Sequence, residues 1–218
     1  MRIAGIDQSI TSTSICLTDG HHERFILFGK EKKGKWWDSV STVATQEVCQ
    51  YDYPEGYSEQ DTYKVHEYGK TAERIAEVVH QFNPDIVAIE GYSYSSQAGD
   101  LIDLVTFGSA LRRAIISRGM NLIVFAPTEL KSKACALAYG TDKKGVPRRP
   151  VRDGEKAGLA GGKFTKKEML EAMAHFAPTC QMMSALGNMA QEAMALASVP
   201  KPLDDMVDSW WLSRVSAR

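Results

Sequence analysis

The sequence predicts an α/β protein whose single sheet mixes antiparallel and parallel strands. Two observations predict it. Three strand-like runs crowd into the first 29 residues, and helical and strand-like periods then alternate between residues 61 and 126. Strands as close together as the first three can join only as an antiparallel meander, because a parallel pair needs a crossover of about a dozen residues. Strands separated by helices pair in parallel. The expected sheet therefore has five strands: a three-strand antiparallel meander plus two parallel strands, flanked by helices.

The elements follow in order. Residues 2–9 (RIAGIDQS) and 13–18 (TSICLT) read as strands, and Asp19-Gly20 turns the chain into a third at 23–29. Residues 30–59 are polar and aromatic without a clean period and read as an irregular excursion. In a helix over about 61–82, Val65, Tyr68, Ala72, Ile75, Val79 and Phe82 recur at spacings of three and four. Asn83-Pro84-Asp85 stops it, and the apolar strand DIVAIE at 85–90 ends in a carboxylate. A second helix over 98–118 carries Leu101, Leu104, Val105, Leu111 and Ile115, followed by Gly119 and a strand at 122–126. Thr128 after Pro127 is the expected cap of a helix through Tyr139. Thr165-Lys166-Lys167-Glu168 is a capping box opening another through Phe176. The Met- and Ala-rich residues 182–197 read as helical, with Met182, Met183, Met189 and Met194 as core or dimer packing. Pro200 and Pro202 precede a last helix over 203–215, whose Trp210 and Trp211 belong to the core. No internal repeat is present, and residues 1–218 read as one domain.

The composition is globular, with 44% hydrophobic and 24% charged residues. A net charge of −1 excludes a binder that works through a global basic field, and leaves local patches as the route to nucleic acid. The four cysteines at 16, 49, 135 and 180 form no Cys-x-x-Cys pair and no zinc spacing. No leader-like stretch and no run of about 18 apolar residues is visible, so the expectation is a soluble, cytoplasmic protein.

Four acidic positions stand out. Asp7 ends the first strand and Glu90 the fourth; Asp205 and Asp208 are three apart on the last helix and share a face. Asp204, four before Asp208, is a further candidate ligand. Singly, each has an ordinary explanation: Asp7 as a turn residue, Asp204 or Asp205 as compensation of the helix dipole. Glu90 is harder to dismiss, because a buried strand rarely closes on a carboxylate. If strand ends and helix meet, the anions repel one another and resist desolvation, and a divalent cation relieves both penalties. Oxygen ligands suit Mg²⁺, with Mn²⁺ able to substitute. Two such ions about 3.5–4 Å apart would clamp a phosphodiester for in-line attack.

Ile3-Ala4-Gly5-Ile6-Asp7-Gln8-Ser9, Ile86-Val87-Ala88-Ile89-Glu90-Gly91-Tyr92 and Asp204-Asp205-Met206-Val207-Asp208-Ser209 resemble the corresponding segments of RuvC-type Holliday junction resolvases, particularly phage-like members. Pro127-Thr128-Glu129-Leu130-Lys131 resembles the family's Pro-x-x-x-Lys segment, and Lys166-Lys167-Glu168-Met169 its second basic element. The blocks occur in family order across nearly the whole chain. The resemblance implies a ribonuclease H-like sheet and a catalytic divalent-metal site at Asp7, Glu90, Asp205 and Asp208. It also implies Lys131 and Lys166 or Lys167 at scissile or neighbouring phosphates, and homodimers acting on four-way junctions in a DNA-recombination or repair setting. Asp7-Gln8-Ser9 stands where the familiar bacterial form has Asp-Pro-Gly. Residues 30–59, 141–163 and 178–199 look inserted.

From 128 to 168 the chain holds eleven Lys or Arg against five acidic residues, a net of +6. Within it, residues 141–163 add five glycines and two prolines, the composition of a mobile loop. Lys131, Lys133, Lys143, Lys144, Arg148, Arg149, Arg152, Lys163, Lys166 and Lys167 are the candidate DNA contacts, whose binding would weaken steeply with salt; a merely solvated loop is the plain alternative. Tyr92 and Tyr94 could stack on bases near the cut or pack on the sheet. Trp36 and Trp37, beside Lys32, Lys33 and Lys35, hint weakly at nucleic acid.

Two other functions compete. Asp7-Gln8-Ser9-Ile10-Thr11 also resembles the first phosphate loop of actin- and hexokinase-like ATPases, but that family needs a second loop in a duplicated domain, for which 218 residues leave little room. A catalytically silent branched-DNA-binding module would gain nothing from four anions facing phosphate.

Overall fold

A computed structural model of the chain describes residues 1–49, 51–92, 98–148 and 164–217. Its strands are β1 (Ile3–Asp7), β2 (Ser12–Thr18), β3 (Glu23–Gly29), β4 (Ala44–Val48), β5 (Ile86–Glu90) and β6 (Leu122–Phe125). They form one sheet in the order β4-β3-β2-β1-β5-β6. β1, β2 and β3 pair antiparallel, while β5 pairs parallel to both β1 and β6. These five strands are the mixed sheet expected from the sequence, an antiparallel three-strand meander plus two parallel strands. A sixth is added: β4, inside the segment read as irregular, lies parallel to β3 at the sheet edge. Its sequence ATQEV has no apolar run, and only Ala44 of it is buried, so its pairing leaves little trace in the sequence. A short helix, α1 (Lys35–Val40), precedes it. Trp36 and Trp37 pack, partly buried, against the core below.

Strand side chains alternate between faces, and the alternation sorts the core in two. Ile6, Ile15, Ile26 and Ile89 face α2 (Tyr57–Phe82) and α3 (Ala98–Ser117). On α2 the buried stripe runs through Tyr68, Ala72, Ile75 and Val79, whereas Val65 is 56% exposed and does not join it. On α3, Phe107, Leu111 and Ile115 are buried, and Val105 is exposed.

Cys16, Phe25, Leu27 and Ala88 face the other way, toward the helices that end the chain. These are α4 (Pro127–Tyr139), α5 (Lys166–Phe176), α6 (Gln181–Leu186), α7 (Met189–Ala195) and α8 (Leu203–Val215). α4 starts two residues earlier than Thr128 would cap it. Ala126 is the cap and Pro127 the first helical residue, where proline's missing N–H costs nothing and its φ is preset. α5 opens on the expected capping box, with Thr165 and Glu168 bonding reciprocally. The Met-rich segment forms α6 and α7, separated at Gly187, and Met182 and Met183 are core. No helix among the described residues is long and apolar enough to cross a membrane.

α8 is the central helix of this face and is buried almost all round. Trp210 and Trp211 cross edge to face with centroids 4.9 Å apart. The Trp210 indole donates to Glu23 (2.8 Å) and the Trp211 indole to the Met169 carbonyl (2.9 Å), so both polar atoms are satisfied inside the core.

A polar strip sets the register of α8. Asp205, Ser209 and Ser213 recur every fourth residue, and Ser12, Ser14 and Cys16 of β2 every second. Four helical residues rise about 6 Å and two strand residues about 6.7 Å, so the rows match rung for rung. Ser12 donates to Asp205 at 2.5 Å, Ser14 and Ser209 share a bond at 2.9 Å, and Cys16 meets Ser213 at 3.7 Å. A buried bond to a charged acceptor contributes about 1.5–3 kcal/mol. Ser12→Ala is therefore expected to lower the unfolding free energy by about that amount in urea titrations; an unchanged midpoint would mean the strip sets no register.

Candidate metal centre

Period-two alternation explains why Asp7 and Glu90 meet. Asp7 shares a face with Gly5, and Glu90 with Ala88; Gly5 and Ala88 are register partners between β1 and β5. Both carboxylates thus stand at the same end of neighbouring parallel strands, facing α8. Gly5 lets α8 close on them: a Cβ there would lie 2.1 Å from the Ser209 carbonyl oxygen. That close approach brings in Asp208, one residue before Ser209. One carboxylate oxygen from each of Asp7, Glu90 and Asp208 lies within 4.8 Å of the others.

Asp7 and Asp208 are buried and Glu90 partly so. Burial, then the Asp208 charge, push the Asp7 carboxyl well above its usual range. The same two causes push Glu90 up to about 7, and burial raises Asp208. Oδ2 of Asp208 takes an ion pair from Lys166 at 2.8 Å. Oδ1 of Asp208, fully buried, has no hydrogen-bond partner among the described residues. A buried, unpartnered carboxylate oxygen beside two further carboxylates fits a hard divalent cation.

Lys166 reaches into the cluster from the first turn of α5. Burial works against its charge, but Asp208, Asp7 and Asp204 outweigh that and hold it above the usual lysine range. Lys167, the neighbouring candidate, points away and donates to the Leu196 carbonyl at 3.0 Å. Lys131 on α4 is half-buried, and its charge favours ionised Glu90 and Asp208.

Asp205 is not in the three-carboxylate set. Its oxygens are taken by Ser12 and by Lys201, both at 2.5 Å. Asp204 pairs with Lys201 at 3.0 Å and lies 3.7 Å from Lys166. Spacing alone puts Asp205 and Asp208 on one helix face; only the position of β2 separates their partners.

Among the other candidates, Lys133 lies 3.7 Å from Glu129. Lys143 and Lys144 are exposed on a closed turn at the start of the 141–163 segment: Asp142 accepts from the Lys144 and Val146 amides, and Thr141 bridges Pro147. Arg148 is exposed beyond it. Tyr92 is partly buried under Arg112, which donates to its hydroxyl at 2.7 Å and lies over its ring. Tyr94, Arg149, Arg152 and Lys163 lie outside the described residues. The sequence reading missed Ser12, Lys201, Gln8 and Arg112, polar groups whose roles depend on which strand faces which helix.

No family model matches the sequence, and no curated protein matches it. Among solved structures the chain is similar to Holliday junction resolvases. RuvC of Thermus thermophilus in complex with a Holliday junction substrate matches at 15% identity and a TM-score of 0.47, covering 100% of this chain and 93% of that one. The yeast mitochondrial resolvase Ydc2 matches at 12% and 0.47, covering 98% and 76%. The fowlpox virus resolvase, in complex with Holliday junction DNA, matches at 12% and 0.39, covering 100% and 98%.

The raised carboxyls have a consequence for stability. Glu90 has an ordinary value of 4.5 and stands at about 7 when folded, so between these values the native state binds more protons than the unfolded chain. Stability contributed by the protonated form is then present at low pH and lost as pH rises through this window. The metal-free protein should melt at progressively lower temperature from about pH 5 to about pH 7.5 relative to Glu90→Gln, and Mg²⁺ should remove the difference by favouring the charged form. Parallel melting profiles for the two proteins would show that Glu90 is not strained by its neighbours.

Proposed function

We propose that the protein is a divalent-metal-dependent endodeoxyribonuclease that cuts branched DNA, four-way junctions foremost, and does so as a homodimer. The buried convergence of Asp7, Glu90 and Asp208 carries this reading, and the buried Asp208 Oδ1, without a hydrogen-bond partner among the described residues, suits a cation ligand. The order of the sequence blocks around these residues supports the branched substrate.

Asp7, Glu90 and Asp208 would hold Mg²⁺, or Mn²⁺ in its place. A bound ion of this class supplies Lewis acidity: it lowers the pKa of a coordinated water and stabilises charge on the phosphoryl oxygens, and a pair of ions does both at once. The protein's own groups do the rest. Lys166, in the first turn of α5, and Lys131, on the neighbouring α4, would offer positive charge to a phosphate oxygen at the centre. Asp205, held by Ser12 and Lys201, keeps the first turn of α8 seated on β2, so that Asp208 stays opposite Asp7. Lys133, Lys143, Lys144 and Arg148 offer charge to the backbone of a DNA arm, and Arg149, Arg152 and Lys163 extend that set in the sequence. A two-fold dimer would place two such centres on the two-fold symmetric junction.

A panel of end-labelled four-way junction, flap, fork, duplex and RNA–DNA hybrid, incubated with Mg²⁺ or with chelator and mapped to the nucleotide, tests the reading. Junction cutting at paired positions in Mg²⁺ alone is expected. No cleavage of any DNA substrate in Mg²⁺ or Mn²⁺ would remove it.

A further inference from the structure

We propose that Arg112 is a positioning residue for the metal centre, its guanidinium tying the end of β1 to the end of β5 and so fixing the spacing of Asp7 and Glu90. The proposal rests on the metal-dependent reading above.

The parallel ladder between β1 and β5 stops at Ile6 and Ile89. The next pair, Asp7 and Glu90, carries the carboxylates and is not joined by that ladder. Arg112, projecting from α3, spans the gap. One guanidinium nitrogen donates to Gln8 Oε1 at 3.2 Å, immediately after Asp7, and to the Tyr92 hydroxyl at 2.7 Å. The other donates to the backbone carbonyl of Glu90 itself at 3.2 Å. The group also lies 4.4 Å from the centre of the Tyr92 ring. A planar fork of donors holds acceptors on two strands in a fixed relation; a lysine ammonium, with three rotatable donors at one point on a flexible stem, holds them less rigidly.

These acceptors are all uncharged, so the guanidinium is not there to neutralise a carboxylate. Burial works against its charge, a cost the fold accepts for the links it makes. α3 is also shaped to admit it. A Cβ at Gly108 would lie 2.6 Å from both the Arg112 nitrogen and Gln8 Oε1, and 2.9 Å from the Tyr92 ring. The guanidinium and the amide lie against a bare Cα.

The test uses Arg112→Met, Arg112→Lys and Gly108→Ala, the last displacing the guanidinium without removing it. Mn²⁺ binding to the DNA-free protein is measured by calorimetry, and four-way-junction binding is measured in chelator across a salt series. Arg112→Met and Gly108→Ala should weaken Mn²⁺ about tenfold or more, the range seen when groups orienting metal ligands are lost. Junction affinity in chelator and its salt slope should stay unchanged, and lysine should restore only part of the metal affinity. In cleavage, the half-saturating metal concentration should rise while KM for DNA at saturating metal stays the same. Wild-type Mn²⁺ affinity in a folded Arg112→Met protein would overturn the proposal. So would a salt slope shallower by about one with metal binding intact, which would make Arg112 a phosphate contact. A wild-type protein that binds no Mn²⁺ would overturn the metal reading and the proposal with it.

Discussion

Asp7→Asn is expected to reduce Mg²⁺-dependent junction cleavage at least about a thousandfold, a loss of roughly 4 kcal/mol of transition-state stabilisation, while junction binding in chelator stays intact or tightens. Asp7 stands between the other two carboxylates in the electrostatics of the site: Asp208 and Glu90 both act on it. Its replacement by a neutral amide of the same shape removes one anionic ligand and part of the mutual repulsion together. Metal affinity falls because the ion loses a charged oxygen. DNA affinity does not, because one fewer anion faces the phosphates. The separation of these two readouts identifies a ligand; a residue needed only for folding would lower both. The variant should also melt higher than the wild type in chelator near neutral pH, where the Asp7 carboxylate is costly to bury. Full cleavage by Asp7→Asn would end the metal assignment.

How much of this was legible beforehand depended on whether a residue's role could be read along the chain or only across it. Asp7 and Glu90 were legible because each closes an apolar strand, where a carboxylate has no packing purpose. Trp210 and Trp211 were legible as core because they sit amid apolar residues on a helix. β4 was not: at the sheet edge only Ala44 needs to be apolar, and ATQEV carries no alternation strong enough to read. Val65 fits the stripe of α2 by spacing alone, yet the buried stretch begins at Tyr68. Lys166 and Lys167 are neighbours in a capping box, and helical geometry sends them in different directions, which no composition argument separates. The Asp205 partners were hidden for the same reason. Ser12-x-Ser14-x-Cys16 and Asp205-x₃-Ser209-x₃-Ser213 are two polar periods, and they acquire meaning only once β2 and α8 are known to touch.

The packing that assembles the centre yields the second large effect, at Gly5. Gly5→Ala is expected to destabilise the protein by about 3 kcal/mol, the upper end for inserting a methyl into a filled interior, and so to lower Tm by roughly 6–12 °C for a chain of this size. The added carbon would meet the Ser209 carbonyl oxygen at 2.1 Å and the Ser213 nitrogen at 2.7 Å. Both are backbone atoms, so no rotamer change relieves the contact and α8 itself must move off β1. Ser209 follows Asp208 directly, so that movement also draws Asp208 away from Asp7, and divalent-metal binding should fall with stability. Gly69→Ala, on α2, is the matched control: nothing lies within 4 Å of its Cβ position, and the same change in a helix interior should stabilise by roughly 0.8–1 kcal/mol. Opposite signs at the two glycines, read by thermal unfolding, with metal affinity lost only at Gly5, would tie the carboxylate geometry to this one helix–strand contact. Equal small effects at both would mean α8 is free to adjust, and that the meeting of Asp208 with Asp7 depends on something other than the bare Cα beneath it.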